Sequence, residues 1–319
     1  MKKLSVIISN RNDVAMLAIT VRSCLEELNF LDDQGEVVIV DNSDPGIYGQ
    51  LASVLPTGYC RDRKLRVYQQ DFPCLFSARQ TAVEESLGEY IICLDSHMIV
   101  GHDCFKDLLA FMENHSSDDH LGFAHAPICW LHQHERTSKH DRDMSVCELG
   151  DWNTQYDHER KITWKGMPWI CRREWFLNTL GGYGALAKHH ISWGGGDMHI
   201  GVKPWLLGYA NWAVPTRPCY HIGPFPSKGK SAHKYRLYTA SGKFPSTFGF
   251  LVSCYILGGE AMMSRNKPTL DKRFGSVIDT SKWWERAKEI GEEEKAWLDE
   301  RKVITFEDLL ETKPWNENV

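Results

Sequence analysis

A carboxylate and an imidazole one residue apart, Asp95-Ser96-His97, close the apolar run Tyr90-Ile91-Ile92-Cys93-Leu94. On an extended chain residues i and i+2 point to the same side, so Asp95 and His97 can clamp one divalent cation. A turn-forming Asp beside a solvated His has the same spacing, and the spacing alone does not separate the two. A second group of chemically suggestive residues is Trp193-Gly194-Gly195-Gly196-Asp197. Glycines let a backbone approach a ligand closely. Asp197 can take a proton from a hydroxyl, or cap a helix that the pattern predicts over Met198–Gly208, and the two roles are compatible. A third candidate is His221, within Pro218-Cys219-Tyr220-His221-Ile222-Gly223, although the chain has 14 His in all.

These residues need a frame. Leu4–Ser9 reads as a strand, Asp13–Leu28 as a helix, and Glu36–Val40 as a strand ending in the turn Asp41-Asn42-Ser43-Asp44-Pro45-Gly46. Leu65–Gln69 is a short strand, Phe76–Leu87 a helix stopped at Gly88, and Tyr90–Leu94 the strand that leads into Asp95. Such alternation predicts a parallel sheet with right-handed crossovers, and a continuous apolar run predicts strands buried on both faces. Open α/β sheets bind ligands beyond the carboxyl ends of their strands. Asn10, Arg11 and Asn12, Asp41, and Asp95 all fall at such ends. No Gly-x-Gly-x-x-Gly is present, which disfavours a dinucleotide-binding domain.

Further along, Cys104–Asn114 reads as a helix and Phe123–Trp130 as a strand. Residues 131–165 form a polar, His-rich loop whose His132, His134 and His140 lack metal-site spacing. The Lys- and Gly-bearing stretch 225–236 reads as a flap. Helical character returns around Phe248–Met263, and 280–311 is charged and Trp-bearing. A net charge of −5 gives no global basic field for nucleic acid or anionic membrane. No run of 18 or more apolar residues is present, so no segment is expected to span a bilayer. The apolar part of Met1–Ser9 is too short for a signal peptide and reads as the first strand. The ten cysteines form no Cys-x-x-Cys and read as core filler in a reducing compartment, which places the protein in the cytoplasm.

A helix, then Gly88-Glu89-Tyr90, then a strand ending in Asp-x-His resembles the nucleotide-sugar glycosyltransferases of the GT-A fold. Asp-x-His is the form found in the polypeptide N-acetylgalactosaminyltransferases. Leu180-Gly181-Gly182-Tyr183 followed by Trp-Gly-Gly is similar to the same group, and the β-1,4-galactosyltransferases carry Trp-Gly-Gly-Glu-Asp. Gly196 stands where both have Glu, which leaves Asp197 as the lone acid. The resemblance covers residues 3–225. It implies an α/β GT-A domain, Rossmann-like with a mostly parallel central sheet flanked by helices, over 1–245, and a C-terminal helical extension over 246–319.

The same resemblance implies the site. Asp95, His97 and His221 would hold Mn²⁺ (or Mg²⁺), with Mn²⁺ the better match to mixed carboxylate and imidazole ligands. Asn10, Arg11, Asp41, Arg79 and Asp95 would border the nucleotide of a UDP-sugar. Trp193, Gly194 and Gly195 would lie against substrate, the 225–236 flap would close over the diphosphate, and Asp197 would handle the proton of a hydroxyl acceptor. That acceptor is a glycan or another cytoplasmic molecule. DNA carrying hydroxymethylated bases, as in phage sugar transferases, is an alternative, and so is a non-catalytic sugar-nucleotide or glycan-binding module. A true base at Asp197 implies inversion at the anomeric carbon; likeness to the N-acetylgalactosaminyltransferases implies retention.

Overall fold

Leu4 to Asn10 of strand β1 (Lys2–Asn10) and all of β2 (Gly35–Asp41) are buried, as expected of strands with no solvent face. The computed structural model describes residues 2–56, 64–118, 120–130, 159–160, 167–192, 194–222, 244, 248–274 and 280–314. With β3 (Leu65–Gln69) and β4 (Gly88–Asp95), the first two strands form a parallel block in the order β3-β2-β1-β4. The helices Val14–Glu27 and Leu75–Glu85 pack against β1 and β2.

Below this block sits a buried polar knot. Glu36, with no exposed surface, accepts from Ser5 Oγ at 2.7 Å, Leu87 N at 2.7 Å and Arg66 Nη1 at 3.0 Å. Ser5 Oγ also accepts from Gly88 N at 2.8 Å. A Cβ on Gly88 would lie 2.6 Å from both Ser5 N and Ser5 Oγ. Gly88 is therefore required by a close strand approach. It is not the helix stop that the sequence predicts: the helix ends at Glu85, and Gly88 opens β4.

The predicted strand Phe123–Trp130 divides in two. β6 (Leu121–His125) belongs to the large sheet and β7 (Ile128–Trp130) to a small one, with Pro127 between them. Proline has no N–H to give to a ladder, and here its carbonyl accepts from Cys219 N at 2.9 Å. The small sheet is completed by β5 (Met98–Ile99) and β11 (Cys219–His221), in the order β5-β11-β7. The large sheet continues past β4 through β9 (Trp169–Arg172), antiparallel to β4 and β6, then β6, β10 (Ala210–Ala213) and β8 (Glu159–Arg160).

Helices Phe248–Phe274, Thr280–Asp299 and Phe306–Thr312 follow. The first runs beyond the predicted Met263, across a kink at Gly259 (φ 59°). It packs on the helices Gly184–Lys188 and Gly196–Leu206. One hydrophobic cluster joins Leu4 of β1 to Leu251, Ile290 and Leu309, so the C-terminal helices share their core with the sheet. Among the described residues no helix is long and apolar enough to cross a membrane.

Candidate active site

Strand register gathers the polar residues. Asn10 pairs with Asp41, and Ser9 with Asp95, so the carboxyl ends of β1, β2 and β4 lie side by side. Beyond Asp95 the chain turns through Ser96 and His97 into β5. Met98 pairs with His221 across the small sheet, and His97 O accepts from Ile222 N at 2.8 Å. One donor atom from each of Asp95, His97 and His221 then lies within 4.8 Å of the others. His97 Nε2 is 3.0 Å from His221 Nε2, with the rings near perpendicular at 81°, and His221 Nε2 is 3.8 Å from Asp95 Oδ2.

These residues fit a divalent cation. Adjacent ligands of an octahedral ion with bonds of about 2.1 Å are roughly 3.0 Å apart, which matches the gap between the imidazole nitrogens. One carboxylate and two imidazoles suit Mn²⁺. His97 Nδ1 lies 3.2 Å from Asp13 Oδ2 and 3.4 Å from Ser96 Oγ, which leaves Nε2 to face His221. In the sequence Asp13 reads as the first residue of a helix, with no sign of a distant partner; it stands at the N-cap position of Val14–Glu27, and its side chain makes no capping bond.

Arg79, 4% exposed, rises from the helix Leu75–Glu85 and donates from Nη2 to Asp95 Oδ1 at 2.7 Å. Burial disfavours its charge, but Tyr183, Cys93, Asp95 and Asp197 around it raise its pKa overall. Arg79 thus bonds Asp95 directly and feels the charge of Asp197. Asp197 lies in the first turn of the helix Gly196–Leu206, whose N-cap is Gly195 at φ 77°. The helix starts two residues before the predicted Met198, so the cap is a glycine and the carboxylate sits within the positive end of the helix.

A Cβ on Gly196 would lie 2.2 Å from Phe76 Cε1, and one on Gly195 would lie 2.7 Å from Gly249 O. Phe76 thus fills the space of a side chain at 196, which accounts for the missing Glu. Gly194 is also left-handed, at φ 96°. Trp193, the 225–236 flap and most of 131–165 lie outside the described residues.

Of the expected nucleotide residues, Asn10, Arg11 and Asp41 share one network, separate from the Arg79–Asp95 pair. Asp41 has no exposed surface; its Oδ1 accepts from Asn10 Nδ2 at 2.6 Å and from Ser43 Oγ at 2.7 Å. Arg11 Nη1 donates to Asn42 O at 3.0 Å and Arg11 Nη2 lies 3.4 Å from Asp44 Oδ1. Asn42 Nδ2 donates to Cys74 O at 3.1 Å, tying the turn to the start of the Arg79 helix. Asp41 therefore shapes the turn after β2 from within, and Arg11, Asn12 and Asp44 form its less buried layer.

A charged cluster underlies the Asp197 helix. Lys203, with no exposed surface, is ion-paired to Glu294 of the helix Thr280–Asp299 and donates to Leu180 O at 3.1 Å. His199 Nε2 is 3.0 Å from Glu294 Oε1, and Glu294 Oε2 accepts from Ala185 N at 2.6 Å. Gln80 Oε1 accepts from Tyr183 N at 3.1 Å. The Leu-Gly-Gly-Tyr-Gly segment is thus held by the Arg79 helix on one side and the C-terminal helix on the other. Neither His199 nor Lys203 is among the candidate residues of the sequence; a Lys inside an apolar helical run was the available signal.

Residues 5–170, more than half of the chain, match the family described as glycosyl transferase family 2. Among curated proteins there is no sequence match. In fold the chain is similar to GalNAc-T7 bound to UDP, GalNAc and Mn²⁺, at TM-score 0.65 and 18% identity over 98% of this chain and 59% of that one. It is also similar to Staphylococcus aureus TarS 1–349 with UDP-GlcNAc, at TM-score 0.55 and 14% identity over 89% and 79% of the two chains. A third similar structure is the Pyrobaculum calidifontis mannosyltransferase PcManGT with GDP-Man and Mn²⁺, at TM-score 0.50 and 16% identity over 93% and 85%. The family match over more than half of the chain shows that this chain belongs to glycosyl transferase family 2, and its fold is the GT-A fold of the similar structures.

Proposed function

We propose that the protein transfers a hexose or N-acetylhexosamine from a UDP-linked donor to a hydroxyl acceptor, with Mn²⁺ at Asp95, His97 and His221. The observation that carries this reading is the three donor atoms within 4.8 Å of one another at the end of β4, beside Arg79 and within its electrostatic reach of Asp197. Solved structures of similar fold were determined with UDP, UDP-GlcNAc or GDP-Man, two of them with Mn²⁺, which supports this choice of donor and metal.

When bound there, the ion would offset charge on a leaving diphosphate. The chain's own groups do the rest. Arg79 pins Asp95 at the strand end and keeps its carboxylate aimed at the two imidazoles. The sealed Asn10-Asp41-Ser43 network gives a rigid turn against which a nucleoside can lie, with Arg11 beside it. The glycine turn packs against Gly249 and Phe76 and so sets Asp197 in the first turn of its helix, where Asp197 receives the proton from the acceptor hydroxyl as that oxygen attacks. Unbridged cysteines among the described residues support a reducing, cytoplasmic setting.

A panel of UDP- and GDP-sugars incubated with Mn²⁺, read by nucleotide release, tests the donor. Acceptor candidates, including glycans and DNA with hydroxymethylated bases, are then screened by mass gain. Release from UDP-sugars that stops with EDTA is expected. Full release in EDTA, or in His97→Ala, would refute the metal reading.

A further inference from the structure

We infer that Asp13 is a positioning residue for the metal centre: its carboxylate sets the tautomer and orientation of His97 so that Nε2 points at His221 and Asp95. This rests on the metal reading above and assigns a role to a residue outside the ligand set. His97 Nδ1 lies 3.2 Å from Asp13 Oδ2, with Ser96 Oγ farther off at 3.4 Å, while His97 Nε2 lies 3.0 Å from His221 Nε2. An imidazole whose Nδ1 carries the proton and donates it to a carboxylate presents an unprotonated Nε2, the form needed for a metal ligand.

Asp13 occupies the N-cap position of the helix Val14–Glu27, where an Asp ordinarily accepts from the helix's first amides. Here it makes no such bond, and the side chain turns to His97. The preceding Asn12 has φ 56°, a conformation uncommon for a residue with a Cβ. The same helix also holds the backbone on both sides of His97. Thr20, fully buried, donates from Oγ1 to Ser96 O at 3.0 Å and accepts from Met98 N at 2.8 Å. One turn on, Ser23 Oγ accepts from Val100 N at 2.8 Å. Thr20 fixes where the His97 backbone lies, and Asp13 fixes which way its ring faces.

The test is a Mn²⁺ titration of the purified full chain, with free ion read by electron paramagnetic resonance, alongside thermal melting without metal. Asp13→Ala is expected to weaken Mn²⁺ binding ~10–100-fold, the range for losing a carboxylate behind a ligating His, with melting unchanged. Asp13→Asn keeps an oxygen acceptor for Nδ1–H and is expected to restore binding to within a few-fold of wild type. Wild-type affinity in Asp13→Ala overturns the inference while leaving the metal site standing. Equal loss in Asp13→Asn and Asp13→Ala would overturn orientation in favour of charge alone. A wild-type protein that binds no Mn²⁺ overturns the metal reading and this inference together.

Discussion

Replacing Glu294 by Ala should destabilise the protein through residues far from it in sequence. Glu294 is the counter-ion of Lys203, lies 3.0 Å from His199 Nε2 and accepts from Ala185 N at 2.6 Å. Lys203 and His199 have no exposed surface, so water cannot replace the lost carboxylate. Breaking a buried ion pair by removing one partner costs ~3–5 kcal/mol. Unfolding entropy for a chain of 319 residues is roughly 0.7 kcal/mol per kelvin, so the melting temperature should fall about 4–7 °C. Glu294→Gln keeps the volume and an acceptor for Ala185 N, and should fall less.

The pH dependence has a definite sign. Burial pushes the Glu294 carboxyl up, but Lys203 and His199 pull it well below the ordinary carboxylate range. Burial also holds His199 below the ordinary imidazole range. In both cases the unfolded chain takes up its proton at a higher pH than the folded one. Stability is therefore full above the unfolded values and declines as pH falls, first below ~6.5 for His199 and then below ~4.3 for Glu294. The advantage of wild type over Glu294→Gln should narrow below about pH 4.3. Urea unfolding across this range measures both quantities. A Glu294→Ala melting point within a degree of wild type, or a wild-type advantage over Gln that stays constant down to pH 3, would refute the reasoning.

Asp197→Asn should keep UDP-sugar and Mn²⁺ binding yet lose ~10²–10⁴-fold in transfer rate, because the helix cap at Gly195 is untouched; near-normal turnover in a coupled assay would end the base assignment. Asp41→Ala should cost ~1–3 kcal/mol of stability by leaving the Asn10 and Ser43 donors unpaired in a buried site, and calorimetry should show UDP binding weakened with it; unchanged affinity would place the base elsewhere. Gly196→Ala puts a methyl 2.2 Å from Phe76 Cε1 and should cost ~1–3 kcal/mol, with partial rescue by a smaller residue at 76; a neutral result in thermal melting would mean that Phe76 yields freely.

The strand ends were legible in the sequence because each depends on a short window. Leu65–Gln69 and Cys104–Asn114 are observed with the predicted bounds, and β1, β2 and β4 extend the predicted runs by one or two residues at their ends. Asp95 and His97 lie together for the same reason, since one extended segment of alternating side chains carries both. Turn chemistry likewise placed Asp41 at the end of β2, although not the network that seals it. His221 could be added only by family resemblance, because what brings it to His97 is the pairing of β11 with β5 across 124 residues of chain.

Tertiary packing alone decided the rest. Phe76 against Gly196 explains an absence that the motif shows without a cause. Asp13, which opens the predicted helix Asp13–Leu28, faces His97, and Lys203, within the predicted helix Met198–Gly208, is fully buried and answered by Glu294. Local periodicity reports which face a residue occupies within its own element. Which distant element covers that face is set by packing and by the need of each buried charge for a partner, and neither leaves a mark within one window of sequence.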